Sequence, residues 1–268
     1  MDRRGFLRGA GACVLCAVGA GVIGRRTAPP HASSDLRAGE RTSTAKLRAE
    51  AQPDGVFGVK TKQPLVGLTF DDGPDPDYTP TVQDILARFD VKATFFLIGV
   101  NATANGRLIA AHLAAGHTIG NHTLDHAELE LLTPEQVATE IDGGERALIS
   151  AGAPRPRLFR PPKGFTDEVV GVFADAGRYR TIFWTECVER FVDRSPSVAE
   201  GVQAVLERLH PGSIVLAHDG GRVDAPNRRV VDRTKTMEAL PLLLDGLRKM
   251  GLRAVDIDTL LRSGEPNR

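Results

Sequence analysis

The stretch Leu65 to Asp75 reads LVGLTFDDGPD, and its reading decides the fold. The apolar run Leu65–Phe70 has the length of a buried strand. It ends in two adjacent carboxylates, Asp71 and Asp72, and Gly73-Pro74 forces a turn at once. Burying charge is costly unless the charge is paired or binds a metal. A strand that delivers two acids to its own C-terminal end therefore needs partners from elsewhere in the chain.

Outward from this stretch, short apolar runs alternate with amphipathic segments. Strands are expected at Leu65–Phe70, Ala93–Ile98, Thr118–Asn121, Arg157–Phe159, Arg180–Trp184, Ser213–Ala217 and Arg253–Ile257. Helices are expected near Thr79–Phe89, Asn105–Ala115, Thr133–Ser150, Thr166–Ala176, Ser197–Leu209 and Thr234–Met250, with a short one after the last strand. Thr133-Pro134-Glu135-Gln136 has the form of a capping box. Seven strands separated by helices imply parallel β/α units, either a barrel or an open doubly wound sheet. No Gly-rich phosphate loop follows the first strand, so a dinucleotide-binding sheet loses its main support.

The N-terminus stands apart from this pattern. Arg3-Arg4-Gly5-Phe6-Leu7-Arg8 precedes a Gly/Ala-rich apolar run from Gly9 to Gly24, too short and glycine-rich for a membrane span. It resembles a twin-arginine (Tat) export signal, expected over 1–30. The protein is thus expected to be exported, to the periplasm, cell envelope or exterior. Any membrane contact would come only through this signal or an uncleaved anchor. Residues 31–60 read as a disordered linker, and 61–264 as the folded domain. Of three cysteines only Cys187 lies outside the signal, so the processed protein would have no internal disulfide. Lys+Arg and Asp+Glu are equal at 34 each, which argues against a nucleic-acid binder. A monomer is expected.

In a parallel barrel the reactive residues gather at the C-terminal ends of the strands. Asp71 and Asp72 follow the first strand, and Asn121-His122-Thr123-Leu124-Asp125-His126 the third. Arg160-Pro161-Pro162-Lys163-Gly164 follows the fourth, Trp184 and Glu186 the fifth, and His218-Asp219 the sixth. His122 and His126 are four residues apart, so on a helix both would face one metal. Two histidines and a carboxylate make a hydrolytic zinc set with an open position.

The motifs FDDGPD, HTLDH, RPPKG and IVLAHD, in this order, resemble the polysaccharide deacetylases of carbohydrate esterase family 4, the NodB-homology domain. The resemblance spans about Leu65 to Leu261. It implies an α/β fold, a distorted (β/α)7 TIM-like barrel, and removal of acetyl groups from N-acetylated or O-acetylated sugars of a polysaccharide. Peptidoglycan, chitin-like oligomers and acetylated xylan are the substrate classes it leaves open. It further implies that Asp72, His122 and His126 bind a divalent metal, usually Zn2+. Asp71 would be the general base, held by Arg160, and His218 the general acid. The backbone N–H of Lys163 would assist the oxyanion, and Trp184 and Leu216 would line the acetyl pocket.

The chain departs from the family pattern in three places. Lys163 stands where an aromatic residue is usual. The aspartate that normally meets the acid histidine is missing, with Cys187 near its position and Arg190-Phe191 where Asp-Trp is common. Glu186 and Glu189 each read as solvated, yet one of them is expected to contact His218 in its place. The segment Arg222–Val231 is longer than the usual link, and its arginines, with Arg233, read as a polar surface loop. Two rival functions follow: a weak relative that binds glycans without turnover, and a barrel glycosidase, which would leave His122 and His126 without a role.

Overall fold

The structure, a computed structural model, describes residues 55–221 and 231–268. The export signal expected over 1–30, most of the linker expected over 31–60 and the segment 222–230 lie outside the described residues. No described helix is long and apolar enough to cross a membrane.

In chain order the strands are β1 (Gly58–Lys60), β2 (Leu65–Asp71), β3 (Thr94–Leu97), β4 (Thr118–Asn121), β5 (Leu158–Phe159), β6 (Arg180–Thr181), β7 (Glu186–Cys187), β8 (Ile214–His218), β9 (Arg253–Val255) and β10 (Glu265–Asn267). The α-helices are α1 (Thr79–Phe89), α2 (Gly99–Ala104), α3 (Gly106–Ala114), α4 (Pro134–Ser150), α5 (Glu168–Ala176), α6 (Val188–Val192), α7 (Val198–Leu206), α8 (Thr234–Lys249) and α9 (Ile257–Arg262). The sheet is parallel, in the order β6-β5-β4-β3-β2-β8-β7, with β9 paired to the first residues of β2. It curls into an incomplete barrel, the distorted (β/α)7 form expected.

Alternation along β2 gives the sheet its two faces. Val66, Leu68 and Phe70 point outward into the cluster formed with Val82, Ile85 and Leu86 of α1 and Leu240, Leu243 and Leu244 of α8. Leu65 points inward, against Phe96, Ile214 and Ile257. Period two therefore puts Thr69 and Asp71 on the inner face, at the mouth of the barrel. Full burial of each apolar side chain contributes about 1.5–3 kcal/mol, so a one-residue slip of β2 would be prohibitive. Register thus holds Asp71 in place.

Two expectations are corrected and one helix is added. The strand expected over Arg180–Trp184 is shorter: only Arg180–Thr181 pairs with β5, at one sheet edge, and a separate strand, Glu186–Cys187, pairs with β8 at the other. Between them the Ile182 and Phe183 carbonyls accept from the Arg160 side chain instead of a strand, at 3.0 Å each. The helix expected over Asn105–Ala115 forms as Gly106–Ala114; a further short helix, Gly99–Ala104, precedes it, and Asn105 between the two leaves helical geometry and donates its side chain to the Asn101 carbonyl. The domain also extends past 61–264, since β1 pairs antiparallel with β10 and Val56 is buried. The capping box forms as expected, between Thr133 and Gln136.

Two buried histidines sit away from the mouth. His112 lies 4.0 Å from the Phe95 ring, and the His117 ring accepts the Ala93 N–H. Burial, with the neighbouring His117, pushes the His112 pKa down to about 3. Burial and Lys92 push that of His117 down to about 4. Unfolded, both would bind protons below pH 6.5, so folding stability should fall as pH drops from 6.5 toward these values. Urea midpoints from pH 7 to 4 should decline, by about 1 kcal/mol per pH unit for His112. The decline should be shallower in His112→Leu; an equal slope in the two proteins would refute this account.

Candidate active site

Asp71 closes β2 on the inner face, and its Oδ1 accepts from Arg160 Nη1 at 2.7 Å. Arg160 is fully buried, as the residue following β5. The same Nη1 donates to Thr69 Oγ1 at 2.9 Å, and the guanidinium stacks 4.1 Å from the Phe96 ring. Asp71 Oδ2 lies 3.7 Å from His122 Nε2.

Asp72, just past the end of β2, adopts left-handed backbone geometry, φ 72°. Its Oδ1 lies 3.6 Å from His122 Nε2 and 3.3 Å from His126 Nε2. His122 and His126 are on a turn, not a helix. Thr123 and His126 both have positive φ, and a turn brings the imidazoles together at 5.1 Å. Asn121 Oδ1 accepts from Thr123 N–H and Thr123 Oγ1 from His126 N–H, which holds the turn. Gly144 of α4 permits it, because a Cβ there would come 2.7 Å from the Thr123 carbonyl. His122 Nδ1 meets the Arg160 carbonyl at 2.6 Å, which fixes the tautomer that leaves an Nε2 lone pair toward Asp72.

A divalent cation fits this set. One carboxylate oxygen and two imidazole nitrogens from Asp72, His122 and His126 all lie within 4.8 Å of one another. His122 has the outer hydrogen bond that metal-binding histidines usually make.

The parallel register of β2 and β8 places His218 opposite Asp71. Its Nδ1 lies 3.1 Å from Glu189 Oε2, so Glu189 is the carboxylate that meets the histidine, and it is not solvated. Glu189 Oε1 accepts the His218 N–H at 2.9 Å and the Thr236 hydroxyl at 2.8 Å. Cys187 donates its S–H to Oε2 at 3.4 Å. Burial alone would raise the Glu189 pKa; the His218 charge and hydrogen bond, its own backbone N–H and Thr236 outweigh this and hold it at about 2. Burial alone would lower the His218 pKa, but Glu189 and Asp72 outweigh it and raise it. Burial first, then the Glu189 charge, lifts the Cys187 thiol to about 12, so it stays protonated.

The remaining expected residues also stand near the mouth. Lys163 has φ 57°, and its side chain pairs with Glu128 across the rim, a half-exposed pair of little energetic weight. Trp184 packs beside Gly164 and 5.6 Å from the Arg160 guanidinium. Leu216 is buried in β8, two residues before His218 and on the same face. Asp219 is fully buried; burial raises its pKa to about 7 against the Thr79 hydroxyl bond, with Asp72, Asp75 and Asp71 adding to the rise.

Arg233 was expected in a surface loop, and the structure overturns this. It is 8% exposed, and its Nη2 donates to Asp72 Oδ2 at 2.9 Å. Nothing local in the sequence separates it from the other arginines nearby; only the fold brings it back to Asp72.

The family model for polysaccharide deacetylases matches residues 58–180. A peptidoglycan-N-acetylglucosamine deacetylase of Bacillus cereus is 36% identical over 218 residues, covering 81% of this chain and 98% of that protein. A chitooligosaccharide deacetylase of a Bradyrhizobium species is 38% identical, covering 69% of this chain and 85% of that one. Among solved structures, a family 4 pseudoenzyme of Bacillus anthracis, BA3943, superposes with a TM-score of 0.68 at 27% identity, over 81% of this chain and 72% of that one. The chain belongs to the polysaccharide deacetylases of carbohydrate esterase family 4.

Proposed function

We propose that the protein is a metal-dependent hydrolase that removes acetyl groups from N-acetylated sugars of a polysaccharide. One observation carries this: Asp72, His122 and His126 converge on one point, with Asp71 beside it and His218 opposite Asp71 in register. The names of the relatives favour peptidoglycan or chitin-like oligomers of N-acetylglucosamine as substrate. The twin-arginine start supports export and action at the cell envelope.

Amide hydrolysis needs an activated water, a stabilised oxyanion and a proton for the leaving nitrogen. Asp72, His122 and His126 would hold a divalent cation, most simply Zn2+, which would supply Lewis acidity for activating water and polarising the carbonyl. Asp71 accepts the proton of the attacking water through Oδ2, while Arg160 holds Oδ1 and fixes its direction. The strained turn at Lys163 presents its backbone N–H to the oxyanion. His218, kept protonated by Glu189, gives a proton to the departing amine. Trp184 and Leu216 shape the space for the acetyl methyl group. The missing aspartate near Cys187 favours a non-catalytic relative, and the contact of Glu189 with His218 at 3.1 Å supports turnover instead.

Acetate release from N-acetylglucosamine oligomers and peptidoglycan should stop on chelation and return with zinc. Asp71→Asn should lower kcat by about 10²–10⁴-fold. Undiminished turnover by the metal-stripped protein would sink the reading, and glycan binding without any acetate release would favour the pseudoenzyme. Glu189→Gln should lower the His218 pKa and so move the alkaline limb of the kcat–pH profile to lower pH; an unmoved limb would remove His218 from the acid role.

A further inference from the structure

Two contacts made by the start of α8 belong together. Arg233, the residue before the helix, donates Nη2 to Asp72 Oδ2 and Nε to the Gly220 carbonyl, both at 2.9 Å. One turn on, Thr236 donates its hydroxyl to Glu189 Oε1 at 2.8 Å. One helical turn therefore touches the carboxylate of the cation-binding set and the carboxylate that holds His218.

We propose that Arg233 is a positioning residue for the cation site. It occupies Oδ2 of Asp72, leaves Oδ1 as the oxygen presented to His122 and His126, and fastens that carboxylate to the turn after His218 through Gly220. The inference rests on the reading that Asp72, His122 and His126 hold a divalent cation.

The physical argument starts from Asp72, which is 2% exposed. A buried carboxylate rotates about its last bond unless one of its oxygens is held by a fixed donor, and a carboxylate free to rotate offers a cation either oxygen or both. Arg233 removes that freedom, because a planar guanidinium bonded at two points has few ways to turn. The backbone at Asp72 is already committed by its left-handed geometry and by Asn101 Nδ2, which donates to its carbonyl at 2.9 Å. Backbone and side chain are thus set independently, the first by Asn101 and the second by Arg233. Partners behind metal ligands commonly account for 10–100-fold in metal affinity.

The test is zinc affinity of the metal-stripped full chain, by calorimetry with a competing chelator, alongside apo thermal stability. Arg233→Met should bind zinc about 10–100-fold more weakly while remaining folded. Arg233→Lys keeps the charge but cannot hold Oδ2 and the Gly220 carbonyl together, so it should fall between wild type and Arg233→Met. Thr236→Val, which loses a contact to Glu189 and none to Asp72, should bind zinc as the wild type does. The proposal is overturned if Arg233→Met binds zinc as well as or better than wild type. It is equally overturned if Thr236→Val weakens binding as much, since general loosening of the helix would then explain both. Should Arg233→Met fail to fold, the lysine variant decides, and wild-type affinity in it overturns the proposal. No zinc binding by the wild type would instead refute the underlying cation site.

Discussion

The structure depends on a buried arginine. Arg160 has no solvent contact, and burial by itself depresses its pKa against the pull of Asp71. A buried cation is tolerated only when it is paired and its donors are used. Here four bonds reach Asp71, Thr69, Ile182 and Phe183, and an aromatic face covers one side. The first two fix the end of β2. The other two satisfy carbonyls at the place where the chain leaves one edge of the sheet for the other. One side chain therefore aims the proposed base and also replaces strand pairing at the opening of the barrel. Loss of one partner from such a pair typically costs about 3–5 kcal/mol.

The adjacent carboxylates are kept distinct by having separate cations. Asp71 pairs with Arg160 and Asp72 with Arg233, from opposite parts of the chain. One oxygen of each still lies near the same nitrogen, His122 Nε2, at 3.7 and 3.6 Å. Like charges on neighbouring residues repel, and a separate counter-charge for each offsets that repulsion. On the other flank, the longer glutamate at 189 reaches His218 from α6, where the family pattern has an aspartate nearer Cys187. The thiol then becomes one of several donors to that carboxylate.

Much of the site was legible because it lies at strand ends, where local chemistry is strict. Asp71 and Asp72 follow an apolar run, and His122, Arg160 and His218 each follow another. Period-two alternation then determines which side chains face inward. The spacing of four between His122 and His126 left open whether a helix or a turn brings the imidazoles together; the positive φ at Thr123 and His126 makes it a turn. The strand expected at Arg180–Trp184 was misread because its composition carries no sign that a side chain would take its carbonyls.

By itself, the sequence determined the alternating β/α order, the rim that collects the acids, histidines and Arg160, and the absence of the usual aspartate near Cys187. These follow from short-range rules: hydrophobic period, turn residues and burial of strands. Only the tertiary structure decided that Glu189 rather than Glu186 meets His218, and that Arg233 leaves the surface to hold Asp72. Both are contacts between residues 29 and 161 positions apart. Their partners are chosen by where α6 and α8 pack on the sheet, and neither residue type nor spacing encodes that placement locally.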